Sequence, residues 1–74
     1  MKEYEVVCTY LNGCAGAAHP TRSFEEVELA DPADYIKAKH PADFDKFTQE
    51  NRDSGVTIFT YSGTVTYIYE FTEL

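Results

Sequence analysis

Positive charge is scarce in this chain. Six Lys and Arg stand against thirteen Asp and Glu, a net charge of −7 over 74 residues. That balance disfavours free nucleic acid and anionic membrane as partners, because both are polyanions and repel a negative protein. Cysteine is scarce too. Two thiols, Cys8 and Cys14, are too few for the disulfide framework of a small secreted domain. The strictly apolar runs are only a few residues long, which excludes a membrane-spanning helix. Met1, Lys2, Glu3 and Glu5 lack the basic-plus-apolar pattern of a secretory leader, so a cytoplasmic protein is expected. No repeat, low-complexity tract or linker interrupts the chain, and one domain over residues 1–74 is expected.

What is present is apolar and aromatic. The hydrophobic fraction is 43%, with six Tyr and five Phe, too apolar for a disordered acidic tail. A chain of this size buries only about 60% of its unfolded surface, so it supports one small core of modest stability.

The densest such segment is Val56 to Phe71, which holds Val, Ile, Thr, Phe and Tyr almost throughout and is broken at Ser62-Gly63. β-Branched and aromatic residues on both sides of a glycine predict a hairpin. A two-residue turn there sets Tyr61 opposite Thr64, Phe59 opposite Thr66 and Ile58 opposite Tyr67. Period-two alternation then gathers Val56, Ile58, Val65, Tyr67, Tyr69 and Phe71 on a core face. Thr57, Phe59, Tyr61, Thr64, Thr66, Ile68 and Glu70 fall on the other. A register shift of one residue exchanges the faces and still leaves a second, partly apolar side.

Upstream, Lys2 to Leu11 reads as a strand with Tyr4, Val6, Cys8 and Tyr10 on its core face. Asn12 to Arg22 is rich in Gly and Ala and reads as a loop closed by Pro20. Ser23 to Ala30 is a second strand, with Glu26 and Glu28 on one side. Asp31-Pro32 starts a helix, because Asp caps orphan amides and Pro fits the first helical position. That helix ends at His40-Pro41. A second helix is expected from Pro41 to Arg52, with Phe44 and Phe47 on one side, stopping at the Asp, Ser and Gly before Val56.

The expected architecture is an α+β two-layer sandwich. A four-stranded, mainly antiparallel sheet in the order β-β-α-α-β-β carries two short helices on one face. Tyr35, Ile36, Phe44 and Phe47 would cover that face. Phe59, Tyr61 and Ile68, with Val7 and Leu11, would lie on the helix-free face, and a contiguous apolar patch there points to a contact surface.

Groups that could carry chemistry are few. Cys8, Cys14, His19 and His40 follow C-x5-C, x4-H and x20-H spacings, which match no closed zinc module. Cys14 and His19 could form a thiolate–imidazole dyad, but no third orienting group is identifiable. A Cys8–Cys14 disulfide would need an oxidising compartment. Gly13 to Ala17 lacks the Lys-Ser/Thr end of a phosphate-binding loop. Acid pairs such as Glu25 with Glu26, or Asp43 with Asp45, fall on surfaces expected to be exposed and make poor general acids at neutral pH.

No enzyme, cofactor or metal is therefore expected. The first functional expectation is a protein-interaction module that contacts a protein partner or a copy of itself through Phe59, Tyr61, Ile68, Val7 and Leu11. The alternative is an acidic inhibitor or decoy docking on the basic cleft of a nucleic-acid-binding partner. Glu25, Glu26, Glu28, Asp31, Asp34, Asp43 and Asp45 would form its negative face.

Overall fold

A computed structural model of the chain describes residues 1–12, 21–63 and 65–74. Its elements are β1 (Lys2–Asn12), β2 (Thr21–Leu29), α1 (Pro32–Lys39), a 3-10 turn (Phe44–Lys46), β3 (Thr48–Arg52), β4 (Val56–Ser62) and β5 (Val65–Glu73). The strands form a single five-stranded sheet in the order β2-β1-β5-β4-β3, with every neighbouring pair antiparallel. The protein is therefore mostly β. The expected four-stranded α+β sandwich with two helices is corrected to five strands and, among the described residues, one α-helix.

The correction lies in Pro41 to Arg52. Only Phe44 and Phe47 are large apolar groups there, too few to anchor a second amphipathic helix. The segment makes the 3-10 turn instead and then pairs Thr48–Arg52 with β4. Arg52 lies opposite Val56, so residues 53–55 form a three-residue loop, and Gly55 takes φ 77° there. Three-residue hairpin loops need a left-handed residue in the last position, which glycine supplies without steric cost. Every side chain of β3 is exposed, so no hydrophobic period marked it as a strand.

The second correction is the register of the final hairpin. Tyr61 lies opposite Tyr67, Phe59 opposite Tyr69 and Ser62 opposite Thr66. The connection is thus one residue longer than a two-residue turn, and the shift relative to the expected pairing is odd. An odd shift exchanges the faces of β4. Phe59 and Tyr61 join Tyr67, Tyr69 and Phe71 on the helix-covered side, while Val56 and Ile58 move to the other. Two rings bury more apolar surface than Val and Ile would, which favours this pairing. Gly63 N–H donates to Val65 C=O at 3.0 Å, and a Cβ at Gly63 would stand 3.1 Å from the Tyr61 hydroxyl.

The core gathers Tyr4 and Val6 of β1, Phe59 of β4, Tyr69 and Phe71 of β5, and Ile36 of α1. Phe71 is fully buried at its centre. It meets Tyr4, Tyr35 and Phe59 edge-on, with ring centroids 6.4, 5.4 and 5.8 Å away. Edge-to-face pairs add about 0.5–1.5 kcal/mol each beyond the area they bury. α1 is placed by its ends. The Asp31 side chain accepts from Ala33 N–H at 2.9 Å, and His40 N–H closes the helix onto Ile36 C=O at 2.8 Å. With Lys37 and Lys39 in its last turn and Asp34 in its first, the helix charges suit its dipole. Eight residues are too few for a stable isolated helix, so Ile36, inserted between the sheet aromatics, holds it in place.

Candidate interaction face

The helix and the 3-10 turn pack on one side of the sheet. The other side is built from alternate residues of all five strands, and the registers fix its rows. One row runs Phe24, Val7, Glu70, Ile58, Glu50. The next runs Arg22, Thr9, Ile68, Thr60, Thr48. On the opposite flank lie Glu26, Glu5, Thr72, Val56 and Arg52. Val7, Leu11, Val56, Ile58 and Ile68 are half-buried by their neighbours within the sheet, and Phe24 is 69% exposed at the rim.

Three of the five residues expected on this face are there: Val7, Leu11 and Ile68. Phe59 and Tyr61 are not. Phe59 is 2% exposed in the core, and Tyr61 lies tilted beside Phe47 and Tyr67, ring centroids 5.4 and 6.2 Å away, on the helix side. Their placement on the helix-free face is corrected, because the pairing of β4 with β5 is offset by an odd number of residues. Val56 and Ile58 take their places. The signal for them is the alternation Val56, Ile58 itself, which a two-residue turn at Ser62-Gly63 would set on the core side. Phe24 completes the set through its pairing with Val7.

The acidic residues do not share one surface. Glu25 is on the helix side, where it accepts from the Tyr35 hydroxyl at 2.8 Å. Burial first, and then this bond to Glu25, push the Tyr35 phenol above its ordinary range. Asp31 caps α1, and Asp43 pairs with Lys46 at 3.5 Å. Glu26 and Glu28 of the expected negative face lie on the helix-free face, beside Glu3 and Glu5. Glu3 lies directly opposite Glu28, and Glu5 directly opposite Glu26, in two successive like-charge pairs. Glu3, Glu26, Val27 and Glu28 line an open depression at that corner. The ion pairs of the described residues lie elsewhere: Lys2 with Glu73 at 3.0 Å, Lys46 with Asp43, and Arg52 with Glu50 at 3.6 Å.

Cys14, His19 and the Gly13 to Ala17 stretch lie outside the described residues, so the dyad, disulfide and phosphate-loop readings fall there. Cys8 is half-buried opposite Tyr69. His40 sits among aromatic rings, 4.6 Å from Tyr67 and 5.2 Å from Phe47 between centroids, with its Nε2 2.6 Å from the Tyr69 hydroxyl oxygen. Burial lowers the His40 pKa; Asp43 opposes that shift and Lys39 adds to it. Burial, followed by the neighbouring Cys8, pushes the Tyr69 phenol up, so Tyr69 keeps its proton, and the hydrogen bond runs between a protonated phenol and the imidazole. This is a core hydrogen bond tying the end of α1 to β5. Among the described residues, no three His, Cys, Asp or Glu groups gather as a metal ion requires, and no helix is long and apolar enough to cross a membrane.

No family model, curated protein or solved structure matches the chain.

Proposed function

We infer that this chain is a non-enzymatic protein-interaction domain that binds a protein partner through its helix-free sheet face. The observation that carries the reading is the makeup of that face. Val7, Leu11, Val56, Ile58 and Ile68 spread across three central strands, and no described element packs over them. Threonines fill most of the positions between, the exposed Glu70 stands between Val7 and Ile58, and Phe24 extends the apolar surface to the edge. Half-buried apolar side chains interspersed with threonines and single charges, on a face with no covering layer, are the makeup of a mixed polar and apolar contact site. A cytoplasmic location suits the low cysteine count.

The test is capture of partners from the native host with the wild type and with an Ile58→Lys/Ile68→Lys variant. Both side chains lie outside the main core, so the variant is expected to fold with a lowered melting temperature, and circular dichroism below that temperature checks that it is folded. A partner retained by the wild type and lost by the variant supports the reading. An identical set of partners for both proteins overturns it.

A second reading has its own observation. The paired carboxylates Glu3–Glu28 and Glu5–Glu26 form a concentrated negative corner on the same face. An inhibitor or decoy for a basic cleft would dock there. Such binding weakens steeply as ionic strength rises, whereas contact through Ile58 and Ile68 does not. Repeating the capture at low and high salt separates the two.

A further inference from the structure

β2 (Thr21–Leu29) is one edge of the sheet. It has nine residues and no proline, against five residues in the opposite edge, β3. Leu74 N–H donates to Glu3 C=O at 2.9 Å, so odd-numbered residues of β1 turn their backbone groups toward β5 and even-numbered ones toward β2. Tyr4, Val6 and Cys8 lie opposite Val27, Glu25 and Ser23. The even residues of β2 therefore aim their N–H and C=O groups away from the sheet: Arg22, Phe24, Glu26 and Glu28. Phe24 sits within this row and is 69% exposed.

Among the described residues no strand pairs with the outer side of β2, and a long unpaired edge accepts another strand. We propose that its occupant is the β2 edge of a second copy of this chain, paired antiparallel about a two-fold axis through Phe24. In that register Phe24 meets its own counterpart, and Arg22 of each copy meets Glu26 of the other. Two opposite-charge pairs flank an aromatic pair on one face, both favourable cross-strand combinations. On the other face Ser23 meets Glu25 and Thr21 meets Val27, so like charges are nowhere opposed.

Neighbouring registers lack this match. An axis at Glu25 sets that carboxylate against its own copy and Glu26 against Phe24. An axis at Glu26 opposes two carboxylates again, and one at Ser23 leaves no Arg–Glu pair within the strand. The pairing stands whether or not the helix-free face takes a further partner. It joins two such faces into one, with Phe24 at the seam.

The test is sedimentation velocity over a concentration series, at about 0.15 M salt so that repulsion between the two negative copies is screened beyond about 8 Å. Wild type is expected to show a monomer–dimer equilibrium. Arg22→Glu and Glu26→Arg are each expected to weaken the dimer about tenfold, since each turns both ion pairs into like-charge pairs. The Arg22→Glu/Glu26→Arg double variant restores the pairs in reverse and is expected to restore the dimer. These side chains are exposed, and circular dichroism checks that each variant is folded. The Ile58→Lys/Ile68→Lys protein is expected to dimerise normally, which separates this edge from the sheet face. A wild type that stays monomeric at the highest concentration overturns the proposal. So does a dimer indifferent to the single reversals, or one that the double variant fails to restore.

Discussion

His40 and Tyr69, twenty-nine residues apart in sequence, meet through imidazole Nε2 and phenol oxygen at 2.6 Å. The contact joins the residue that caps α1 to the middle of β5. It is partly buried and ringed by Tyr67 and Phe47, so the hydrogen bond forms where water competes poorly. Protonation of His40 would place a charge where burial disfavours one.

This makes stability depend on pH in a definite direction. The folded chain holds the His40 pKa below its value in the unfolded chain, chiefly by burial. The contribution is fully present above the unfolded value of about 6.5 and is lost as pH falls through that value toward the lower folded one. The measurement is the melting temperature of wild type minus that of His40→Asn from about pH 7.5 to 5.5, across the ordinary imidazole range. Any titration of His19 is common to both proteins and cancels. The difference should shrink toward the acid end. Parallel curves would show that His40 titrates alike in both states.

Ile36 is the residue through which α1 enters the core, and it is 0% exposed. Ile36→Ala removes three carbons from a site walled by the sheet aromatics and is expected to cost about 2–5 kcal/mol. For a domain of this size each kcal/mol lowers the melting temperature by roughly 4–8 °C. Ile58→Ala, on the other side of the sheet, should cost less than half as much. Equal losses in urea titrations of the two would contradict the assignment of the covered face.

Gly55 isolates a backbone effect from packing. Its φ of 77° is the left-handed region, and the nearest atom a Cβ would meet is Glu73 Oε2 at 3.8 Å, an ordinary contact. Gly55→Ala is therefore expected to cost about 1–2 kcal/mol from conformation alone. Gly55→Asn should cost less, because Asn tolerates that region. Chemical denaturation of the pair checks the order, and an alanine variant as stable as wild type would mean the loop does not need its left-handed residue.

The elements legible from sequence were those with a one-sided pattern. β1 alternates Tyr4, Val6, Cys8 with Glu3 and Glu5, and its core face follows directly. α1 carries its start in Asp31-Pro32, and the side chain of Asp31 does cap it. β5 shows its face through Tyr67, Tyr69 and Phe71. β4 was ambiguous for a physical reason: Val56 and Ile58 are apolar at one parity, Phe59 and Tyr61 at the other. Periodicity alone cannot choose between them, and the length of the Gly63 connection decides. That one residue separates a face containing Phe59 from a face containing Ile58, so Val7, Leu11 and Ile68 were legible as neighbours while their companions were exchanged. β3 carried no pattern at all. Only partner hydrogen bonds from β4 make Thr48–Arg52 a strand, and those are absent from local sequence.

The paired carboxylates at the sheet corner make the last prediction. Glu5 lies directly opposite Glu26, and Glu3 opposite Glu28, all four exposed. Like charges in directly opposed positions destabilise a sheet, and replacing one with its opposite should recover about 0.2–1 kcal/mol or somewhat more. Glu5→Lys is thus expected to raise the urea midpoint at low salt, with Glu5→Gln between it and wild type. In about 1 M salt, where the screening length falls to about 3 Å, the advantage should largely vanish. A Glu5→Lys protein no more stable than wild type would show that the corner carries no repulsion. If the gain is found, the chain keeps four carboxylates at a cost to its own stability. A cationic surface docked over Glu5 and Glu26 would relieve that cost, so the more stable variant should bind such a surface less tightly than the wild type.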